Sequence, residues 1–383
     1  MNSSIAPLRN GAHRARGRYT RPMKLTRRAF GSTIAGAACL RGVLDAQTTP
    51  RPPAAGSLTD VPGLRVGHWT DTRRPTGCTA ILFDPDAAVG VDYDGSAPGE
   101  TSIVMLQPVS PVETVHGLFL TGGGPFGLAA HAGVIRYLEK RKRGFDWGAG
   151  VRVPIVPGAV IDDLALGDPT IRPDAQAAYK ACEAASEAAV AEGNVGAGAG
   201  ATVGRMLRTH TGGGMKGGVG TASLRLGDLV VAALAVVNAA GDVFDWRKGQ
   251  IVAGARRPDG KGFADIVEVM KRTIGSANGG DVIHDPVLRS TTLAVVATNV
   301  ALTKTQLTKV AMMANCGASR AVRPYHTTGD GDQLFAVSTR RLNRDDVNVT
   351  IVGTLAAEVV ADAVLRGVTM AASIEGWPAA RDV

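Results

Sequence analysis

The chain is poor in aromatic residues, in cysteine and in long hydrophobic runs. Phe, Trp and Tyr make up only 4 % of its 383 residues, so its interior must be built mainly from Ala, Val, Leu and Ile. Cys78, Cys182 and Cys316 are far apart and lack CxxC or nearby His spacing, which supports neither a disulfide framework nor a zinc site. We expect all three to be buried apolar residues, and we predict no metal and no cofactor.

A surplus of either charge is also absent from most of the chain. The sequence carries 42 Lys and Arg against 34 Asp and Glu, a net charge of +8, but nine of these bases and only one acid fall in residues 1–46. Residues 47–383 therefore hold 33 charges of each sign. A body without net charge argues against nucleic acid as a partner, and 45 % hydrophobic residues argues against disorder.

The N-terminal segment has the layout of an export signal. After Met23, which we take as the translation start, a basic stretch leads into an apolar stretch at 29–40 and then into small residues before a cleavage point near Ala46. The pair Arg27–Arg28 resembles the twin-arginine motif, and the apolar stretch is too short to span a bilayer. We predict that residues 1–46 are removed and that the protein is periplasmic or secreted. A disordered basic tail is the alternative.

Strand and helix patterns intermix throughout the remaining residues. Short β-rich runs and amphipathic runs alternate, and no later segment reaches eighteen uninterrupted apolar residues, so we expect no membrane partner after signal removal. The pattern favours an α+β layered sandwich. Strands are predicted at 64–69, 78–83, 88–93, 117–120, 219–226, 229–238, 292–297 and 334–338, helices at 174–192, 304–314 and 347–366, and an exposed linker ending at 290.

Two glycine-rich segments stand out among the 49 glycines. TGGGPFG (121–127) follows a strand and precedes a helix, a place where backbone N–H groups bind phosphate. Its spacing matches neither GxGxxG nor a P-loop, so we favour a tight turn beside an active site over a nucleotide-binding enzyme. GNVGAGAGATVGR (193–205) either presents N–H groups to an oxyanion or allows close packing.

RSTTLAVVATN (289–299) places two threonines directly before an apolar strand. If the chain were cut before a threonine here, its hydroxyl would lie beside a free α-amine with a pKa of about 7.7–8.0. Such an amine can act as the general base for its own side chain. A threonine pair at a strand start is also explained by β-propensity alone, and the pattern does not choose between the two.

From Thr59 to Gly376 the sequence resembles the S58 (P1-type) peptidases, the family of the L-aminopeptidase/D-esterases, β-peptidyl aminopeptidases and nylon-oligomer hydrolases. The resemblance implies an N-terminal-nucleophile-like, four-layer α/β/β/α sandwich that cuts itself once and then acts on small peptides or amides. It also implies a homo-oligomer, a tetramer or larger. The matching blocks include GLRVGHWTD (63–71), LTGGGPFGLAA (120–130), GFDWGAGVRVPIVPGAVI (144–161), GNVGAGAGATVG (193–204), TTLAVVATN (291–299) and HTTGDGDQLFAVST (326–339).

The same resemblance assigns roles to individual residues. The cut would fall between Ser290 and Thr291, giving an α chain of 47–290 and a β chain of 291–383 within one hydrolase domain, with Thr291 as the nucleophile. Asn238 would help to hold the oxyanion. Asp330 and Asp332 would orient the amine and hydroxyl of the nucleophile, an acidic pair that favours the nylon-hydrolase branch.

Three departures from the family pattern leave a second hypothesis open. Ser290 stands where Asn is common before the cut, Arg205 stands where a catalytic-site Lys is expected, with Lys216 as the fallback, and Asp162 stands where aromatic residues are usual. Asp162 either recognises a substrate ammonium or turns outward, and we group it with Lys216 and Phe126 as substrate-binding residues. The second hypothesis is a catalytically impaired relative that binds a small molecule on the same fold.

The export prediction is tested by the intact mass of protein recovered from the periplasm of an expressing bacterium. We expect a first residue near position 47. A periplasmic chain that retains residues 23–46, or a chain found only in the cytoplasm, would contradict the predicted signal.

Overall fold

The fold is a mixed α/β arrangement built around one continuous sheet. The computed structural model describes residues 55–206, 211–274, 290–344 and 346–383, so the predicted signal lies outside the described residues. The strands are β1 Leu64–Thr70, β2 Gly77–Asp92, β3 Glu100–Thr101, β4 Val115–Thr121, β5 Phe145–Gly148, β6 Val151–Val153, β7 Gly158–Val160, β8 Thr202–Val203, β9 Met215–Lys216, β10 Val219–Leu226, β11 Leu229–Asn238, β12 Asp242–Asp245, β13 Gln250–Ala253, β14 Thr291–Val300, β15 Val322–Arg323 and β16 Gln333–Leu342. The helices are α1 His131–Glu139, α2 Ala175–Glu183, α3 Ile266–Ile274, α4 Lys304–Ala321 and α5 Val349–Thr369.

Strand β2 joins the two halves of the main sheet. Its first part pairs with β1 and β4, its second part pairs with β16, and the register against β4 shifts between Leu82 and Ala87. The sheet order is β10-β11-β14-β16-β2-β4-β7-β3, with β1 paired to β2 beside this path. The prediction of two separate strands at 78–83 and 88–93 was wrong. The polar residues between them form an exposed irregularity within one strand instead of ending it.

Three apolar clusters account for most of the core. One lies between α4, α5 and β10, β11, β14 and β16; another lies between the two halves of the sheet; the third lies between α1, α2 and β1, β2 and β4. In β14 the side chains alternate, so that Ala294 and Val296 join the first cluster while Leu293 and Val295 join the second. The central strands are therefore covered on both faces.

Two predicted boundaries differ from the structure for identifiable reasons. Helix α2 ends at Glu183, well short of the predicted residue 192, because Ser186 leaves the helix to exchange backbone hydrogen bonds with Val66 of β1. The predicted exposed linker ends at a residue that is 1 % exposed, Ser290, which forms a β-bridge with Asp330. Residues 275–289 of that linker lie outside the described residues, and α3 occupies part of the weakly patterned stretch before them.

The cysteine prediction holds for two residues of three. Cys78 and Cys182 are buried against α1 and α2, whereas Cys316 lies on the exposed side of α4. Its position on an amphipathic helix explains the error, because the apolar stripe of α4 faces the sheet and leaves the opposite side to solvent. Among the described helices, none combines the length and apolar character needed to cross a bilayer.

Candidate active site

The pairing of β14 with its two neighbours brings distant parts of the sequence together at Thr291. Strand β14 is antiparallel to β11, so its first residue, Thr291, lies opposite the last residue of β11, Asn238. It is parallel to β16, so the segment that leads into β16 also ends here. A bridge between Ser290 and Asp330 keeps the same parallel register three residues before the first β14–β16 pair, Leu293 with Gln333. Four of the residues assigned by resemblance therefore meet at one edge of the sheet.

The Thr291 hydroxyl lies against the peptide bond that precedes it. Thr291 Oγ1 donates a 2.7 Å hydrogen bond to the carbonyl oxygen of Ser290. The same oxygen accepts the backbone N–H of Gly331 at 2.9 Å. Thr291 is 6 % exposed, so its hydroxyl is largely removed from bulk water. A hydroxyl in this position is placed to react with the carbonyl group beside it.

Asp332 fixes the backbone around the threonine pair. Its Oδ1 accepts the N–H of Thr292 at 2.6 Å, and its Oδ2 accepts the N–H of His326 at 3.1 Å. The His326 ring reaches the same carboxylate, with Nδ1 3.5 Å from Oδ2. Although burial alone would lower the pKa of His326, the nearby Asp332 carboxylate and its charge leave that pKa raised. His326 lies within a matching sequence block, but no role was predicted for it.

Asp330 is a buried carboxyl group, and one of its two oxygens accepts a hydrogen bond. Its Oδ2 accepts the N–H of Thr327 at 2.8 Å, while Oδ1 has no hydrogen-bond partner among the described residues. Burial, together with the charge of Asp332, raises the pKa of Asp330 to about 6. Asp330 therefore takes up a proton at mildly acidic pH.

Asn238 is held in place by the loop that contains Asp162. Its Oδ1 accepts the backbone N–H of Thr202 at 3.0 Å and Arg205 Nη1 at 3.4 Å, while its Nδ2 donates to the backbone oxygen of Asp162 at 3.3 Å. Arg205 Nη1 donates to that same oxygen at 3.2 Å. The structure therefore joins Arg205 to Asn238. A guanidinium keeps its proton, so Arg205 can orient Asn238 but cannot act as a base.

A cavity of about 390 Å³ opens directly onto Thr291. This volume lies within the range of small-molecule sites in proteins, roughly 300–1,000 Å³. Phe126 and Asp162, two of the predicted substrate-binding residues, both line it, and most of the remaining wall is apolar or glycine. The lining residues are Ala97, Gly99, Pro125, Phe126, Val160, Asp162, Leu164, Ser290, Thr291 and Gly329.

A buried ion pair anchors the wall that carries Asp162. The next residue, Asp163, pairs with Arg74, and both side chains are almost fully inaccessible. Asp163 also accepts Thr76 Oγ1 at 2.7 Å and the backbone N–H of Gly123 at 2.9 Å. These bonds tie the Asp162 loop to the glycine turn, where Gly123 and Gly124 have φ values of +87° and +55°. The turn therefore shapes the cavity, as the sequence suggested, although neither Arg74 nor Asp163 was singled out.

Lys216 lies away from the cavity. Its Nζ donates to the carbonyl oxygens of Gly198, Ala201 and Gly217, at distances of 3.2, 2.8 and 2.7 Å. Burial lowers the pKa of this lysine to about 7. Two of the three ammonium donors thus hold the backbone of the second glycine-rich segment, and the third bonds to the carbonyl of the adjacent Gly217. The structure does not place Lys216 at the predicted substrate site.

No group of three or more metal-ligating His, Cys, Asp or Glu side chains gathers anywhere in the part of the chain that the structure describes. The chemistry of the cavity is carried by hydroxyl, carboxyl, amide and backbone N–H groups. This combination is suited to acyl transfer, in which a hydroxyl attacks a carbonyl and fixed donors hold the oxyanion.

Solved structures with a similar fold include two aminopeptidases, one of which is described as a variant of the N-terminal-nucleophile (Ntn) hydrolase fold. The L-aminopeptidase D-Ala-esterase/amidase from Ochrobactrum anthropi, described as a variant of the Ntn hydrolase fold, matches with a TM-score of 0.58 and 21 % identity, over 84 % of this chain and 89 % of that one. A Burkholderia sp. beta-aminopeptidase matches with a TM-score of 0.60 and 21 % identity over the same shares. The molecule is thus a mixed α/β protein that shares the fold of these structures.

Sequence comparison then places it in one family. The model of peptidase family S58 matches residues 56–381. An uncharacterised aminopeptidase of Mycobacterium tuberculosis is 38 % identical over 355 residues, covering 85 % of this chain and 97 % of that protein. A 6-aminohexanoate-oligomer endohydrolase of Kocuria sp. is 30 % identical over 327 residues, covering 80 % and 84 %. The chain belongs to peptidase family S58, which confirms the predicted relationship and makes it a hydrolase of the peptidase and amidase class.

The raised pKa of Asp330 predicts a pH-dependent loss of stability relative to Asp330→Asn. The folded state retains the Asp330 proton up to about pH 6, whereas the unfolded chain releases it near pH 4. Unfolding therefore becomes easier as pH rises between these values, by about 2 to 3 kcal/mol relative to the variant. Urea unfolding of both proteins from pH 4 to 7 measures the difference in their free energies of unfolding. Denaturing gels first check that the two samples are in the same state, both cut or both uncut.

Asp332→Asn serves as the control for this prediction. Removing the neighbouring charge should lower the pKa of Asp330 and move the transition to lower pH. A stability difference between wild type and Asp330→Asn that stays flat or grows as pH rises would contradict the assignment.

Proposed function

We propose that this protein is a self-activating N-terminal-nucleophile amidohydrolase with Thr291 as its nucleophile. The observation that carries the proposal is the 2.7 Å contact between Thr291 Oγ1 and the Ser290 carbonyl oxygen, at the wall of the cavity. The hydroxyl thus touches the bond to be cut and also faces space for a substrate. Membership of peptidase family S58 supports amide hydrolysis as the reaction.

Activation proceeds by an N→O acyl shift. Thr291 Oγ1 attacks the Ser290 carbonyl carbon, the bond from that carbon to the Thr291 nitrogen breaks, and the hydroxyl proton passes to the nitrogen. The product is an ester with a free α-amine. Water hydrolyses this ester, leaving a carboxyl on Ser290 and restoring the Thr291 hydroxyl as the first residue of the β chain. Ser290 contributes only its backbone carbonyl, so a serine at this position is compatible with the reaction.

The freed amine then supports turnover. With a pKa near 8, it takes the proton from Oγ1 as the hydroxyl attacks a substrate carbonyl, and the departing amine takes up that proton. Asn238, opposite Thr291 in the sheet, supplies an amide donor for the oxyanion. Asp332, hydrogen-bonded to the N–H of Thr292, and the buried Asp330 orient the new amine. Water finally hydrolyses the acyl-enzyme.

Short peptides or peptide-like amides with a free amine fit the cavity. Its walls are mainly apolar, and Asp162 supplies one carboxylate that can pair with a substrate ammonium. The relatives named as an aminopeptidase and as a 6-aminohexanoate-oligomer endohydrolase support linear amides as the substrate class. Thr291 with the Asp330–Asp332 pair favours the oligomer-hydrolase branch within that class.

The three core clusters support a four-layer α/β/β/α arrangement of one hydrolase domain. One cluster separates the sheet halves, and each of the other two separates a sheet half from a pair of helices. In this arrangement the α chain contributes β11 and the β chain contributes β14 and β16. The cut would therefore leave both chains interlocked in one sheet, with the export signal at the start of the α chain.

An exposed apolar hairpin supports assembly into an oligomer, which we propose to be a tetramer or larger. Strands β5 and β6 pair only with each other, and all of their residues are exposed. Trp147 is 73 % exposed, and three further apolar side chains share the hairpin: Phe145, Val151 and Val153. Burying these apolar side chains against another copy would remove apolar surface from water and so stabilise the oligomer.

A catalytically impaired binding protein remains the second candidate, and Arg205 is the observation that favours it. Where a lysine is expected, the structure has a guanidinium bonded to Asn238. This candidate predicts either a chain that never cuts or a cut chain without amidase activity on a broad panel of amino-acyl amides.

Replacing Thr291 tests the proposed nucleophile. Thr291→Ala should keep the chain whole and abolish amidase activity, because it removes the attacking oxygen, whereas Thr291→Ser should still cut because it keeps the hydroxyl. Denaturing gels and intact masses over time report the cut, and amino-acyl p-nitroanilides and 6-aminohexanoate oligomers report turnover. A wild-type chain that stays whole, or Thr291→Ala that cuts at residue 290, would refute the proposal.

Trp147→Glu tests the proposed assembly. A buried charge at the interface should shift the native mass, measured by light scattering, towards smaller species. Val109→Glu is the matched control, since Val109 is 94 % exposed and lies outside the hairpin. An unchanged mass for Trp147→Glu, or an equal shift for both variants, would contradict the role of the hairpin.

A further inference from the structure

The Ser290 carbonyl oxygen accepts two hydrogen bonds in the uncut chain, one from each side. Thr291 Oγ1 donates at 2.7 Å, and the backbone N–H of Gly331 donates at 2.9 Å. Ser290 is 1 % exposed and Gly331 is buried, so the carbonyl depends on these protein donors more than on bulk water. The bridge between Ser290 and Asp330 sets the position of the Gly331 N–H.

We propose that the backbone N–H of Gly331 is the oxyanion donor for self-cleavage, an inference that rests on the proposed function of Thr291. When Oγ1 bonds to the Ser290 carbon, the carbonyl π electrons move onto the oxygen that Gly331 already contacts. The Oγ1 proton must leave for the nitrogen of the breaking bond, so the threonine can no longer donate to that oxygen. Among the described contacts, the Gly331 N–H alone remains on the oxyanion.

This donor is distinct from the one assigned to turnover. Asn238 belongs to β11, on the opposite side of β14 from the segment that contains Gly331. Its Nδ2 donates to the backbone oxygen of Asp162, and no described contact joins it to the Ser290 carbonyl. Self-cleavage and turnover therefore use different oxyanion donors on the two sides of one nucleophile.

The absence of a side chain at position 331 is required by the close approach of the nucleophile. A Cβ atom on Gly331 would lie 2.8 Å from Thr291 Oγ1 and 2.6 Å from the carbonyl oxygen of Ala97. Both distances are shorter than real Cβ contacts allow, so any other residue would displace the hydroxyl or the loop at Ala97. Glycine brings its N–H to the carbonyl while leaving room for the hydroxyl beside it.

The direct test replaces the Gly331 amide by an ester through semisynthesis of the full chain, which removes the N–H without adding atoms. We expect cutting at Ser290–Thr291, followed by intact mass, to slow by about 100- to 1,000-fold, the usual effect of losing one oxyanion donor. The control is the same replacement at Ala301, which lies outside the site and whose N–H donates to the carbonyl oxygen of Leu342 at 2.8 Å. It should cut within about tenfold of wild type, and thermal unfolding midpoints check that both proteins fold.

Hydroxylamine separates this role from a later one. It cleaves an accumulated ester, so it should release no fragment ending at Ser290 from the Gly331 ester protein if the N–H acts in forming the oxyanion. Fragment masses separate this site from the introduced ester between residues 330 and 331, which hydroxylamine can also cleave. Rapid hydroxylamine cleavage between Ser290 and Thr291 would overturn the proposal, as would spontaneous cutting there at the wild-type rate. If the wild-type chain never cuts, the proposed function fails together with this proposal. If the wild type cuts and the Gly331 ester protein cuts equally fast, only the role of Gly331 fails.

A second pair of variants tests the same point by ordinary mutagenesis. Gly331→Ala adds a side chain but keeps the N–H, whereas Gly331→Pro adds one and loses the N–H. Gly331→Pro should cut at least about tenfold more slowly than Gly331→Ala. A Gly331→Ala protein that cuts measurably, but no faster than Gly331→Pro, would overturn the proposal.

Discussion

The pairing of β14 between β11 and β16 is the constraint on which the rest of the site depends. Because β14 is antiparallel to one neighbour and parallel to the other, the end of β11 and the approach to β16 must both lie at its first residue. Residues 238, 291 and 330 meet for this reason alone. The alternating apolar side chains of β14 fix its register. A shift by one residue would move the side chains that pack between the sheet halves to the face covered by α4 and α5, and would move the others the opposite way.

Buried polar groups in and around the site are stabilised in this apolar setting by bonds within the protein. Asp332 accepts two backbone N–H groups, Asp163 is paired with Arg74, and Lys216, which lies away from the cavity, donates to three backbone carbonyls. Asp330 differs from these residues, because one of its oxygens has no hydrogen-bond partner among the described residues and its pKa is raised. An unsatisfied buried carboxyl costs stability, and such costs are typical of residues retained for chemistry rather than for folding.

The sequence was informative where structure is local and uninformative where it is not. Strands β11, β14 and β16 were predictable because each contains a continuous apolar run, and β10 was predictable because apolar and polar residues alternate along it. The resemblance drew attention to Thr291, Asn238, Asp330 and Asp332. The order of those strands in the sheet was not predictable. The burial of Ser290 depends on a bridge to Asp330, which no local sequence pattern predicts. The ion pair of Arg74 and Asp163 joins residues 89 positions apart, so it too becomes visible only in the fold.

One hydroxyl, at the first residue of β14, is proposed to carry out both self-cleavage and substrate turnover. Mass spectrometry of the β chain, quenched during turnover of a slowly hydrolysed amino-acyl ester, tests this directly. We expect an added acyl group on the peptide that begins with Thr291, removable by hydroxylamine. An acyl group on another residue, or turnover by a chain whose Ser290–Thr291 bond is intact, would contradict it.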